Sequence, residues 1–110
     1  MIIEQIRYFV DEPYRDQLVD VRRRIARIRE GLGVPGGHIL IADPPPDDGP
    51  CLVWQCAYSD EGELGYVETK LVGHAGYEEA RERVAPLVTR VELELYTIDG
   101  DEPSVANPEG

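Results

Sequence analysis

Tyr14, Leu18, Val21, Ile25, Ile28 and Leu32 follow one another at alternating spacings of four and three residues. That spacing commits the segment to one long amphipathic helix. Pro13 suits its first turn, behind the acidic Asp11 and Glu12, and Gly33 followed by Pro35-Gly36-Gly37 stops it. Asp16 and Asp20 lie early while Arg22, Arg23, Arg24, Arg27 and Arg29 lie late, the order that the helix dipole favours. The arginine run reads as a solvated helix face, with docking of an acidic partner as the sharper alternative. A helix with one apolar stripe needs a second layer to lie on.

The flanking segments supply that layer. Ile2 to Val10 reads as a strand, with Ile2, Ile6 and Val10 on one face and Ile3, Gln5, Arg7 and Phe9 on the other. His38 to Ala42 and Cys51 to Tyr58 read as an antiparallel pair. The proline-rich 43–50 segment between them cannot enter a sheet interior, because proline lacks the donor. Asp60-Glu61-Gly62-Glu63 resembles a capping box and opens a short helix from Glu61 to about Leu71. Gly73-His74-Ala75-Gly76 breaks it. Tyr77, Ala80, Val84 and Leu87 then mark a second amphipathic helix despite Pro86, and Val91, Leu93 and Leu95 alternate along a final strand. The expected fold is α+β and ferredoxin-like, β-α-β-β-α-β, a four-stranded antiparallel sheet with two helices on one face. The domain covers residues 1–98, and 99–110 is expected to be a flexible tail. The helix-free face would show Ile3, Arg7, Phe9, Trp54 or Val53, and Glu92 or Glu94, too apolar to be left in water. A second copy related by two-fold symmetry would cover it.

Composition narrows the class of partner. With 110 residues the chain builds one modest core. A net charge of −11 repels phosphate backbones, so nucleic acid is excluded as a partner. No apolar run approaches the roughly 18 residues needed to cross a bilayer, and the opening residues carry no secretory pattern, so no membrane partner and a cytoplasmic location are expected. Cys51 and Cys56, without a C-x-x-C pattern, read as two buried reduced thiols.

Two segments carry a family resemblance. Glu4-Gln5-Ile6-Arg7-Tyr8-Phe9 opens the chain, and Trp54-Gln55-Cys56-Ala57-Tyr58-Ser59 closes the third strand before turning into Asp60-Glu61-Gly62-Glu63-Leu64. Together with the element order, they resemble the dimeric α+β barrel superfamily, which includes antibiotic-biosynthesis-monooxygenase-like and NIPSNAP-like domains. The resemblance covers residues 1 to about 98. It implies a pocket in each subunit between the sheet and the helices or flanking loops. It does not choose among the cofactor-free oxygenases, haem-degrading enzymes, isomerases and other members of that superfamily. Haem degradation is disfavoured, since the first strand has no asparagine and His74 lies twenty residues after Trp54.

The candidate catalytic residues are His38 and His74, either of which could move a proton near neutral pH, although an ordinary surface or loop role is favoured for each. As lone histidines they are weak metal ligands, and neither a metal nor a cofactor is expected. The candidate substrate contacts are Arg7, Trp54 and Gln55. Trp54 is set where strand tryptophans line pockets in cofactor-free oxygenases of the resembling superfamily, yet a core or interface anchor is favoured. Arg7 could hold an anion bidentately, but an ion pair with Glu92 or Glu94 is favoured. Gly31-Leu32-Gly33-Val34-Pro35-Gly36 matches a dinucleotide-binding string, but it ends a helix instead of opening one. The expected function is small-molecule binding by a homodimer, with cofactor-independent monooxygenation of a hydrophobic or aromatic compound as the leading activity. The alternative is a non-catalytic dimeric interaction module.

Overall fold

Residues that share a strand face by alternation also share it across the sheet. In a computed structural model, which describes residues 1–44 and 46–99, β1 (Ile2–Phe9) is followed by α1 (Arg15–Gly31), β2 (His38–Ile41), β3 (Leu52–Tyr58), α2 (Glu61–Leu71), α3 (Ala75–Glu82) and β4 (Arg90–Thr97). Single 3-10 turns at Glu12–Tyr14 and Ala85–Leu87 precede α1 and β4. The four strands form one antiparallel sheet in the order β2-β3-β1-β4. This is the expected ferredoxin-like fold, and α2 is the short helix expected from Glu61 to about Leu71. The tail expected at 99–110 lies outside the described residues from Gly100 onward.

Register separates the two faces. Ile6 lies opposite both Trp54 and Leu93, and Tyr8 opposite Leu52 and Val91. These positions point at the helices, where Tyr8, Leu52, Trp54, Cys56 and Tyr58 are buried with Leu18 and Val19 of α1 and Val67 and Leu71 of α2. Each large apolar side chain fully buried here contributes roughly 1.5–3 kcal/mol. Cys51 and Cys56 are buried and free, and burial pushes the Cys51 thiol up from its ordinary pKa.

The other face carries Ile3, Gln5, Arg7 and Phe9 with Val53, Gln55, Glu92 and Glu94. It is less apolar than expected. Trp54 belongs to the helix side, and the centre of the open face is a polar cluster. Arg7 pairs with Glu92 at 3.1 Å and Glu94 at 3.7 Å, and donates to Gln5 Oε1 at 2.7 Å.

Helix ends follow local chemistry. Gly33 takes φ +81° after α1, while its N–H reaches Glu30 O and that of Val34 reaches Arg29 O, a Schellman closure. At α2, Asp60 Oδ1 accepts from the Glu63 N–H at 2.9 Å, and Glu63 reaches back to the Ser59 N–H. The helix expected to run from Tyr77 to Leu87 ends at Glu82 instead. Pro86 clashes with a helical carbonyl four residues back, which is that of Glu82, and Val84 and Leu87 fall beside and in the following 3-10 turn.

Candidate active site between sheet and helices

The face of α1 that turns to the sheet is rotated from the expected stripe. Its buried residues are Leu18, Val19, Arg22, Ile25 and Arg29, whereas Tyr14 is exposed and Val21 and Ile28 are only partly covered. Arg22 and Arg29 are therefore core residues at the spacing of Leu18 and Ile25, not members of a solvated face. Arg23, Arg24 and Arg27 do stand in solvent, and Arg24 ties α1 to α3 through Glu79 at 3.2 Å.

A cavity of about 690 Å³ lies between this face of α1, the sheet, α2 and α3. Glu4, Ile6, Tyr8 and Tyr58 form its sheet wall, extended by Val91 and Leu93 of β4. Leu93 is 56% exposed, because no helix closes over it. Leu64, Val67 and Leu71 of α2 and Tyr77 of α3 form the facing, mostly apolar wall.

The two buried arginines have different surroundings. Arg29 donates through Nε to Pro35 O at 2.7 Å and through Nη2 to Tyr58 Oη at 2.8 Å. Tyr58 in turn donates to Glu4 Oε1 at 2.8 Å. Arg29, Tyr58 and Glu4 thus form a hydrogen-bonded chain in which the neutral phenol links the two charges. Burial, with the hydrogen bonds to Cys56 and Glu4, pushes the Tyr58 phenol far above its ordinary pKa, so it stays a neutral donor. Burial raises Tyr8 as well.

Arg22 is 4% exposed and makes no hydrogen bond or ion pair among the described residues; its Nε is a buried donor without an acceptor. Its guanidinium stacks 4.7 Å from the Trp54 ring centroid and 5.6 Å from that of Tyr8. Desolvation depresses its pKa, and no carboxylate offsets that fully.

The five residues singled out from the sequence do not converge on this cavity. Arg7, Gln55 and His38 share the open sheet face. Gln55 bonds Gln5 at 3.4 Å and lies opposite His38, which is exposed at the start of β2. Arg7 is engaged by Glu92, Glu94, Gln5 and Tyr96, which supports its reading as an ion pair. Trp54 lies on the helix side but is 1% exposed, and it is sealed from the cavity behind Arg22 and Arg29, with Nε1 donating to Gly36 O at 2.8 Å. His74 caps α3, its Nδ1 accepting from the Tyr77 N–H at 3.1 Å. Sequence reasoning missed Arg22, Arg29 and Glu4, and named Tyr58 only among several tyrosines that could orient a substrate. The available signal was the Leu18-Arg22-Ile25-Arg29 spacing of four, three and four, an apolar stripe with two cations set into it.

Comparison with solved structures identifies the fold. An uncharacterised NIPSNAP domain protein from Burkholderia xenovorans superposes with a TM-score of 0.69 at 14% identity, covering 94% of this chain and 99% of the other. A NIPSNAP family protein from Agrobacterium tumefaciens gives 0.66 at 15% identity, covering 93% and 96%. A proposed antibiotic biosynthesis monooxygenase from Nitrosomonas europaea gives 0.65 at 16% identity, covering 90% and 99%. No family model and no curated protein matches the chain. The chain has the fold of the antibiotic-biosynthesis-monooxygenase-like and NIPSNAP-like domains over nearly its whole length. Among the described residues no helix is long and apolar enough to cross a membrane.

Proposed function

We propose that this protein is a cytoplasmic homodimer that binds a small hydrophobic molecule in the cavity between sheet and helices, and oxygenates it without a cofactor. The cavity is the observation that carries this reading. Its 690 Å³ falls within the roughly 300–1,000 Å³ of small-molecule sites, and its mostly apolar walls close around a few convergent polar groups. The reaction class comes from the fold shared with the Nitrosomonas protein. In a monooxygenation of this type a dihydroxyaromatic ring gives four electrons to O2. One oxygen atom enters the ring, yielding a hydroxyquinone, and the other leaves as water with the two hydrogens lost by the substrate.

Dihydroxynaphthalenes incubated with the protein in air are expected to consume oxygen and yield a product one oxygen atom heavier and two hydrogens lighter. Ligand binding without oxygen uptake would favour the second reading, a non-catalytic binding module. That reading draws on the cavity wall itself, where Tyr8 and Tyr58 are held protonated and the described lining includes no histidine.

The dimer is proposed through the open sheet face, where Ile3, Phe9, Val53 and Leu40 surround the Arg7 cluster. Two-fold pairing would cover these side chains in both copies at once. Sedimentation at low micromolar concentration is expected to give twice the chain mass, and the mass of a single chain would refute the pairing. The free, buried Cys51 and Cys56 suit a reducing compartment.

A further inference from the structure

A guanidinium enclosed in protein normally has a carboxylate beside it, because burial penalises the charged form heavily and only a counter-charge restores the balance. Arg29 has its donors met by Pro35 O and Tyr58 Oη, and Tyr58 links it onward to the Glu4 carboxylate. Arg22 has no such partner among the described residues, although it is equally buried, lines the same cavity, and has one donor nitrogen wholly enclosed without an acceptor. Within the cavity interior there are thus two cations, Arg22 and Arg29, against one carboxylate, Glu4, which is already committed to Tyr58. The other charged residues of the lining stand towards solvent. Glu78 and Arg81 pair with each other at 3.8 Å, and Glu68 is exposed. Trp54 and Tyr8 fix the guanidinium plane from behind through stacking, which holds a cation in place without using its hydrogen-bond donors. A guanidinium held against two aromatic rings, without a hydrogen-bond acceptor and in the wall of a largely apolar cavity, is a receptor for one anionic oxygen group.

We propose that Arg22 is an anion-binding residue, and that the ligand of this cavity is an amphiphile with one negatively charged oxygen head, such as a carboxylate, enolate or phenolate, on a hydrophobic body. The head would supply the acceptors that Arg22 lacks, and Ile6, Leu64, Val67, Leu71 and Leu93 would enclose the body. This inference rests on the reading of the cavity as a ligand site, and adds to it the charge and polarity of the ligand.

The test uses size-matched pairs, 2-naphthoate with 2-naphthamide and decanoate with decanamide, titrated calorimetrically into the native protein and into Arg22→Met and Arg22→Lys. Emission from Trp54, the single tryptophan, gives a second readout, since its ring lies 4.7 Å from the guanidinium. The native protein is expected to bind at least one anion tenfold or more tighter than its amide and to change its indole emission on binding. Arg22→Met should lose that preference while holding the amide within about twofold, and Arg22→Lys should keep part of it. Equal affinity of acid and amide for the native protein would overturn the proposal and leave the cavity a ligand site. So would a preference that survives in Arg22→Met. Failure of all four compounds to bind would overturn both. The acid–amide comparison is made on the native chain, so it decides the matter even if a variant does not fold.

Discussion

Trp54→Ala is expected to lower the unfolding free energy by about 3–5 kcal/mol, a large part of the 5–15 kcal/mol typical of a whole domain. The indole is 1% exposed, and its removal empties the centre of the layer between β3 and α1. It also leaves Gly36 O without its 2.8 Å donor, and takes away the surface on which Arg22 and Arg29 both stack. The last loss is unusual. Two buried guanidiniums close to one another are tolerable here because an electron-rich ring lies against each, at 4.7 and 4.8 Å. Urea unfolding followed by circular dichroism measures the change. Trp54→Phe should cost less, since it keeps a ring and forfeits mainly the Gly36 bond. A loss below about 1 kcal/mol for the alanine variant would show that the indole does not hold the core together.

Gly37→Ala is expected to destabilise the fold by about 3 kcal/mol, and most of that loss should disappear when Trp54 is also removed. Two effects add at this position. Gly37 has φ +80°, a conformation that costs an L-residue roughly 1–2 kcal/mol. A Cβ built on it would also lie 2.5 Å from the Trp54 ring, an overlap that the packed indole can relieve only by shifting, at roughly 1–3 kcal/mol. The steric share depends on Trp54 and the backbone share does not. In a Trp54→Ala background, Gly37→Ala should therefore cost only about 1 kcal/mol. Strictly additive losses in the four-protein cycle would refute the contact. This loop between α1 and β2 thus acts as a lid on the indole, with glycine required where the backbone passes over the ring.

Much of the fold was legible in the chain because its signals are local. The alternation of Val91, Leu93 and Leu95, the Gly33 stop and the Asp60–Glu63 cap each act within a few residues, and each forms as expected. Pro86 acts more strongly than the apolar spacing around it: a helix cannot keep the carbonyl of Glu82 in register beneath that ring. Strand alternation left Trp54 and Val53 as alternatives for the open face, and only the pairing of Ile6 with Trp54 put the indole under the helices.

The candidate site was much less legible. Arginine in an amphipathic helix is ordinarily solvated, so Arg22 and Arg29 looked like part of the same charged run as Arg23, Arg24 and Arg27. Their burial depends on the rotation of α1 about its axis, set by where Leu18 and Ile25 meet the sheet and by the acceptors that Pro35 O and Tyr58 offer Arg29. Likewise, Arg7, Gln55 and His38 became neighbours on one face while Trp54 and His74 fell on the other side.

Residue order and periodicity alone thus determined the sequence of elements, the α+β class and most element ends, since hydrophobic period, caps and breakers act over distances of a few residues. The tertiary structure alone decided that two arginines enter the core, that one of them lacks a counter-charge, and that a chamber remains in front of it. Those outcomes depend on how three helices settle on a single sheet. A gap between packed layers arises from elements distant along the chain and leaves no mark in any one of them.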